Sequence, residues 1–395
     1  MKKILVIGGG AYQTPLIKRI IEQGYKAYCV DGNPNAVGFD FATSYKCIDV
    51  LDKQACLEYA KELNIDAVMT YGATLTLPTV AYIGEKLSLP TICQETAELS
   101  KNKYKIKKRL AEKGCNIKGK FFEISSRDEK YDFPIPCVVK PSDGSGSKGV
   151  ALVYNENEIE DAINYAFAGA SYGEVYVESL IDGEEYSAEA FVANGEIYVY
   201  TIVKSTFKKL LNGEISYGHK TSLDLPKHVE FAISEEVKKA IKALNITIAS
   251  VNFDVIVSND DKKPYIIDCG IRVGQNLIAS HIVPLSRGVS VIDNTIALAL
   301  NEKVDAAPKI TRPIATRLLI YNPGVITEIK PMDDLIGKNG IIDIVLRKYV
   351  GDTQKAYKEK SDTCGWVITT GETADEAENN AIIAKELLKK YIIIE

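Results

Sequence analysis

Two lysines and a run of small residues are the first groups in this sequence suited to holding a phosphate. Lys140 closes the apolar run Cys137-Val-Val, and Ser142, Gly144, Ser145, Gly146, Ser147, Lys148 and Gly149 follow. Glycine lets backbone approach a ligand closely, successive N–H groups can cradle phosphate oxygens, and the ammonium groups supply charge. The pattern differs from a Walker A loop, because no Gly-Lys-Ser/Thr opens a helix after it. A second constellation lies further on. Asp254 and Asp268 stand in two apolar runs joined by the turn Asn259-Asp-Asp261, so the spacing predicts neighbouring antiparallel strands on which the two carboxylates can face each other, or else one faces out and the other caps a turn. Such a pair repels unless a cation lies between, and oxygen donors of this type suit Mg²⁺ held by one or two carboxylates plus substrate phosphates. Arg272, four residues beyond Asp268, offers a bidentate donor to a phosphate or carboxylate.

Elements must bring these groups together. Cys137-Val-Val and Val150-Ala-Leu-Val-Tyr read as the two strands of a hairpin whose small-residue tip lies over a ligand. Upstream, strands at 3–7, 27–30 and 67–70 alternate with amphipathic helices, which predicts a parallel sheet with ligands at the strand C-termini. The first turn is a poor dinucleotide fingerprint, since Gln13 replaces the third glycine after Gly8 and Gly10. Asp31, ending the second strand, reads either as a turn former or as a ligand to a ribose or amino group. Residues 95–114 read as helical, with a break at Ser100 and a basic run, Lys101, Lys103, Lys105, Lys107, Lys108 and Arg109; most of these lysines read as a solvated face. A strand at 174–178 precedes a long β region over about 185–205 with a turn at Asn194-Gly195. The stretch 212–225, which contains His219 and Lys220, reads as a polar loop, where the histidine is open between a ligand-facing and a structural role. Pro308–Pro313 marks a boundary before a small α+β unit ending in a helix over about 373–391.

Composition narrows the class. At 395 residues the chain has room for two or three domains, and its net charge of -5 sets up no field that attracts nucleic acid or an anionic membrane. Apolar runs fall well short of the ~20 residues of a membrane span. Met1-Lys-Lys before Ile4-Leu-Val-Ile is too short an apolar stretch for a signal peptide. The eight cysteines contain no Cys-x-x-Cys, so the reading is a reduced, cytoplasmic protein without a zinc or disulfide framework.

Taken in order, the pieces resemble the ATP-grasp superfamily. Asn102-Lys103 follows a helix break, and Val-Val-Lys140-Pro leads into the Gly/Ser loop. Val177-Glu178-x-x-x-x-Gly183-x-Glu185 comes next, and the carboxylate hairpin ends in Asp268-x-Gly270-x-Arg272-x-Gly274. The resemblance implies a Rossmann-like pre-ATP-grasp domain at 1–98, a two-lobed ATP-grasp domain at 99–306 with its lid subdomain at about 115–180, and a C-terminal α+β domain at 307–395. It implies that Lys103 contacts phosphate and Lys140 the α-phosphate. Ser142, Gly144, Ser145, Gly146, Ser147 and Gly149 then belong to the lid over the β- and γ-phosphates. By the same resemblance Glu178 meets the adenine beside backbone groups of Leu180 or Ile181, and Glu185 binds the ribose hydroxyls. Asp254 and Asp268 would hold Mg²⁺, with Mn²⁺ as an alternative; Arg272 would orient the phosphoryl group, and His219 lies in a region that approaches the phosphates. Two departures stand out, since the family usually has Glu at both metal positions and Asn at 270.

The branch most similar in plan is the carbamoyl-phosphate-synthase-like and L-amino-acid ligase one, to which Arg317-Leu-Leu-Ile-Tyr-Asn-Pro-Gly324 adds the start of a small C-terminal domain. The chemistry implied is ATP-dependent carboxylate–amine ligation through an acyl-phosphate, with ADP and phosphate released. Two alternatives stay open: a carboxylase or carbonyl-phosphate enzyme of the purine type, and an ATP-binding member without turnover. The implied partners are small carboxylates and amines, with no nucleic acid or membrane; a homodimer is implied by resemblance alone.

Overall fold

The computed structural model describes residues 1–126, 131–144, 148–210, 213–357 and 362–395, with backbone alone at 207–210 and 213–216. The chain opens as β1 (Lys3–Ile7), α1 (Thr14–Glu22), β2 (Lys26–Asp31), β3 (Ser44–Cys47), α2 (Lys53–Leu63), β4 (Ala67–Met69) and α3 (Leu77–Leu87). These strands form a parallel sheet in the order β3-β2-β1-β4. Ile4, Leu5, Val6 and Ile7 are all fully buried, as a central parallel strand covered on both faces requires.

Two short helices, α4 (Gln94–Leu99) and α5 (Lys103–Glu112), lead out of this unit. The expected break falls between them, and the Asn102 side chain caps α5 by accepting from the Lys105 amide at 2.8 Å. A small antiparallel sheet follows in the order β5-β8-β6-β7, from β5 (Phe121–Ile124), β6 (Cys137–Pro141), β7 (Ala151–Val153) and β8 (Val175–Ser179), backed by α6 (Ile159–Gly169). On β6, Cys137, Val139 and Pro141 point into the small core while Val138 and Lys140 take the other face. Period-two alternation therefore aims Lys140 away from α6 and into the cleft between lobes.

The larger lobe runs through β9 (Gly183–Ala193), β10 (Glu196–Leu210), β11 (Gly213–Thr221), α7 (Lys227–Ala243), β12 (Ala249–Ser258) and β13 (Pro264–Gly270). A π-helical turn, Ile278–Ile282, precedes α8 (Val283–Arg287) and α9 (Val291–Ala299). The last segment comprises β14 (Ile314–Leu318), β15 (Gly324–Ile329), β16 (Ile341–Leu346), β17 (Thr353–Gln354), β18 (Gly365–Thr370), α10 (Ala374–Leu388) and β19 (Ile392–Ile394). Its strands β14, β18 and β16 continue the large sheet, whose order is β13-β12-β9-β10-β11-β14-β18-β16.

One local reading is overturned. The stretch read as a polar loop over 212–225 is largely strand β11, paired with β10 on one side and with β14 through His219↔Thr316 on the other. The neighbouring strand β10 supplies most of its pairing, over Val203–Leu210, and β14 adds three pairs from nearly a hundred residues away, which local pattern does not show. Among the described residues, no helix is long and apolar enough to cross a membrane.

Candidate active site

The cleft between the small and large sheets collects the charged side chains. In the small sheet Val138 pairs with Glu178 and Lys140 with Tyr176, which makes Lys140 and Glu178 diagonal neighbours. The Lys140 ammonium contacts Glu178 Oε1, lies 5.2 Å from the Tyr176 ring centroid, and donates to the Ile267 carbonyl at 3.3 Å, so it bridges the two sheets. From α5, Lys103 contacts Asp268 Oδ2 and Lys107 contacts Glu178 Oε2. Burial raises the Asp268 carboxyl, but Lys103 and Lys140 outweigh it and bring it to about 2. Burial likewise pushes Glu178 up, and Lys140 and Lys107 hold it below the usual carboxylate range instead. Lys107 was not among the residues singled out from sequence, where the run it belongs to reads as mostly solvated; here its side chain is 7% exposed.

Asp254 and Asp268 are direct cross-strand partners, as the hairpin spacing predicted. The Ser187 hydroxyl donates to Asp254 Oδ1 at 2.5 Å from the strand on the other side. Among the described residues no group of three or more His, Cys, Asp or Glu is placed to hold a metal ion. Two opposed carboxylates fit Mg²⁺ that takes its remaining oxygens from phosphates and water, and do not fit a closed all-protein cage. Lys103 already meeting Asp268 shows that this carboxylate accepts a cation.

Strand register sorts the other candidates. Glu185, Ser187 and Glu189 alternate along β9 onto one face, and the pairs Ser187↔Val203 and Ser205↔His219 put His219 on that same face. His219 is buried, with Nδ1 3.4 Å from the Ser205 hydroxyl. Lys220 takes the opposite face, where it pairs with Asp375 at 2.5 Å and Glu378 at 3.1 Å on α10. The structure thus separates two neighbours that the sequence presents together. Glu185 is half-buried on β9, opposite Ile256. Leu180 donates its N–H to the Pro136 carbonyl at 3.0 Å, and Ile181 is buried beside it.

Of the small-residue loop, Ser142 is fully buried and its carbonyl accepts the Lys103 amide at 2.6 Å, tying the loop's first turn to α5. Gly144 has a φ of +87° and Gly149 one of +76°. A Cβ on Gly149 would meet Pro141 Cγ at 2.8 Å, so glycine is required there for both reasons. Ser145, Gly146 and Ser147 lie outside the described residues.

Arg272 folds back on its own turn. It donates to the Val273 carbonyl at 3.0 Å, and a Cβ on Gly270 would come within 3.1 Å of its Cζ. The glycine that replaces the expected asparagine therefore leaves room for the guanidinium beside the carboxylate pair. The turn abuts the first unit, where Gln275 donates to the Gly72 carbonyl at 3.2 Å and Gln13 to the Tyr71 carbonyl at 2.5 Å. Asp31 proves a turn former, accepting from the Gly9 and Asn33 amides at 2.7 and 2.8 Å.

Sequence reasoning also passed over Glu189. It is fully buried, accepts the Gly274 amide at 3.0 Å and the Asn252 amide nitrogen at 3.2 Å, and so anchors the turn that carries Arg272. A Cβ on Gly274 would sit 2.3 Å from Glu189 Oε2. Its signal was a lone acidic residue in the otherwise apolar run Ala188-Glu-Ala-Phe-Val. Burial pushes its carboxyl up to about 8, beyond what the Gly274 and Asn252 hydrogen bonds recover. Between the usual carboxylate value near ~4.3 and about 8, the unfolded chain ionises this group while the folded chain keeps its proton. The contribution of Glu189 to stability is therefore greatest below that window and declines as pH rises through it. Denaturant unfolding at pH 5 and pH 8 should show a smaller loss for Glu189→Gln than for the unsubstituted protein; equal losses would refute this.

With the geometry in place, comparisons with known proteins agree on its class. The ATP-grasp domain family matches residues 133–279, which include the loop, Lys140, Glu178, both aspartates and Arg272. These residues match an ATP-grasp domain. The last segment, residues 317–392, matches the L-amino acid ligase C-terminal domain 2 family. Among relatives, a D-alanine--D-alanine ligase from a Nitratiruptor species is 31% identical over 148 residues, which cover 36% of this chain and 38% of that ligase. The chain spans less than two thirds of the length of the curated relatives it matches. Two solved structures superimpose over nearly the whole length. The L-amino acid ligase of Bacillus licheniformis has a TM-score of 0.82 at 21% identity, covering 100% of this chain and 99% of its own. The phosphoribosylglycinamide synthetase of Anaerococcus prevotii has a TM-score of 0.78 at 23% identity with the same coverage. At these identities the likeness establishes the fold.

Proposed function

We propose that the protein is an ATP-dependent carboxylate–amine ligase, forming an amide or peptide bond through an acyl-phosphate and releasing ADP and phosphate. The observation that carries this reading is that the cleft gathers Lys103, paired with Asp268, and Lys140, paired with Glu178 and bonded to the Ile267 carbonyl, alongside the cross-strand pair Asp254–Asp268. The C-terminal L-amino acid ligase domain and the D-alanine--D-alanine ligase likeness support the same bond type.

In this reading Lys103 and Lys140 leave their carboxylate partners for phosphate oxygens, and Glu178 turns its freed oxygen to the adenine amino group. Asp254 and Asp268 would hold Mg²⁺, which neutralises phosphate charge as the γ-phosphoryl group is transferred. Arg272 presents its guanidinium to the carboxylate under attack, and the turn held by Glu189 fixes its direction. The loops Gly8–Gln13 and Tyr71–Thr74, joined to that turn through Gln275, form the wall for the acceptor. The reaction needs water kept from the acyl-phosphate, which it otherwise hydrolyses. The division at 1–98, 99–306 and 307–395 belongs to the same proposal, as do a homodimeric state and a cytoplasmic location.

The test is ADP and phosphate release with Mg-ATP across a panel of amino acids, dicarboxylates and bicarbonate, with products weighed by mass spectrometry. A product heavier by condensation is expected for at least one carboxylate–amine pair. Release that depends on bicarbonate alone would transfer the protein to the carboxylase class, and nucleotide binding without release would remove turnover altogether.

A further inference from the structure

Among the described residues, Lys107 is a cation of the cleft for which the proposed reaction has no use. It lies one turn after Lys103 on α5, and Ile106, Lys107 and Leu110 are the buried residues of that helix. Its side chain is 7% exposed and that of its partner Glu178 is 6% exposed, so both charges are out of water. Burial pulls the Lys107 ammonium below its usual range, and Lys140 adds to that, against the pull of Glu178. A fully buried lysine held beside a second lysine is costly unless its charge serves a neighbour.

The partition of Glu178 shows which neighbour. Oε2 meets Lys107 and Oε1 meets Lys140. Lys140 also reaches across to the Ile267 carbonyl and so sits at the cleft, while Lys107 approaches from the helix behind. When Lys140 is drawn to a phosphate, Glu178 loses the partner of Oε1 and keeps that of Oε2. A carboxylate buried without any cation would take up a proton or swing away. Held by Lys107, it stays ionised and presents Oε1 as an acceptor to a donor on the base. An adenine offers an amino group at that edge, where guanine offers a carbonyl oxygen that a carboxylate repels.

We propose that Lys107 is the positioning residue of the nucleotide pocket: it is the permanent counter-ion of Glu178, and through that carboxylate it sets the preference for adenine over guanine. The proposal rests on the reading that Glu178 meets the base, and the experiment separates the two. Binding of Mg-ATP and Mg-GTP to the full chain is measured by calorimetry for the unsubstituted protein and for Lys107→Met, with thermal unfolding as a control. Lys107→Met should weaken Mg-ATP by about tenfold or more and Mg-GTP by much less, so that the ratio of the two affinities falls toward unity. A uniform loss for both nucleotides, or no loss, would overturn the proposal. Failure of the unsubstituted protein to bind or distinguish either nucleotide would sink the adenine site itself and the proposal with it. If Lys107→Met does not fold, the pair Lys107→Met/Glu178→Gln, which removes both buried charges together, takes its place. It should then bind Mg-ATP as Glu178→Gln alone does; a further tenfold loss in the pair would refute the coupling.

Discussion

Asp268→Asn is expected to lower ADP release from Mg-ATP by roughly 10²–10³-fold, the scale seen when one charge-stabilising group is deleted from a transfer site. The substitution keeps the volume and one oxygen, so the hairpin that pairs Asp254 with Asp268 has no steric reason to change. What changes is charge. Lys103 loses the carboxylate it contacts, the cross-strand pair falls from two carboxylates to one, and a divalent cation held as proposed would lose one of its two protein ligands. Turnover is read by coupled ADP release with the carboxylate–amine pair found in the panel, at several Mg²⁺ concentrations. Weakened activity that high Mg²⁺ partly restores is the expected pattern. Unchanged turnover would show that Asp268 serves only as a structural partner of Lys103, and the proposed metal position would have to be abandoned.

Lys140→Ala is expected to act on affinity rather than on the metal. Its ammonium makes one contact with Glu178 and one with the Ile267 carbonyl, and both would be redirected to a phosphate. A hydrogen bond to a charged group contributes about 2 kcal/mol, so Mg-ATP should bind roughly 30-fold more weakly. The substitution also leaves Glu178 with Lys107 alone, so part of the loss appears in thermal stability. Calorimetric titration with Mg-ATP and with Mg-ADP separates the two effects, since the loss assigned to the α-phosphate should be equal for both nucleotides. Affinity equal to that of the unsubstituted protein would dismiss the phosphate role of Lys140.

The elements that position these groups were legible wherever a local pattern specified them. Strand and helix alternation in the first hundred residues, the hairpin around the small-residue loop, and the opposition of Asp254 and Asp268 each follow from periodicity and turn chemistry within a short window. Lys107 was harder. A basic run with six Lys or Arg in the nine residues 101–109 looks solvated, and only its placement between Ile106 and Leu110 on the buried face of α5 betrays it. His219 was harder still. Its strand is paired with the neighbouring β10 on one side and with β14 through Thr316 on the other, and its separation from Lys220 follows from the alternation of that strand. Glu189 gave the clearest missed signal, an acidic residue in a fully apolar run, which a buried strand tolerates only where the carboxylate has donors waiting.

The continuation of the large sheet into the last segment has a consequence for where that sheet ends. β14 meets β11 only over Gly218–Lys220, and β18 and β16 follow it outward. A chain stopped at residue 306 would make β11 the rim of the sheet, with its row of amides and carbonyls open to any extended strand. Such rims recruit strands from other molecules, and natural proteins blunt them with a cover. In this fold the cover is the C-terminal segment, so the strand that pairs with His219 also keeps the large sheet from growing into its neighbours.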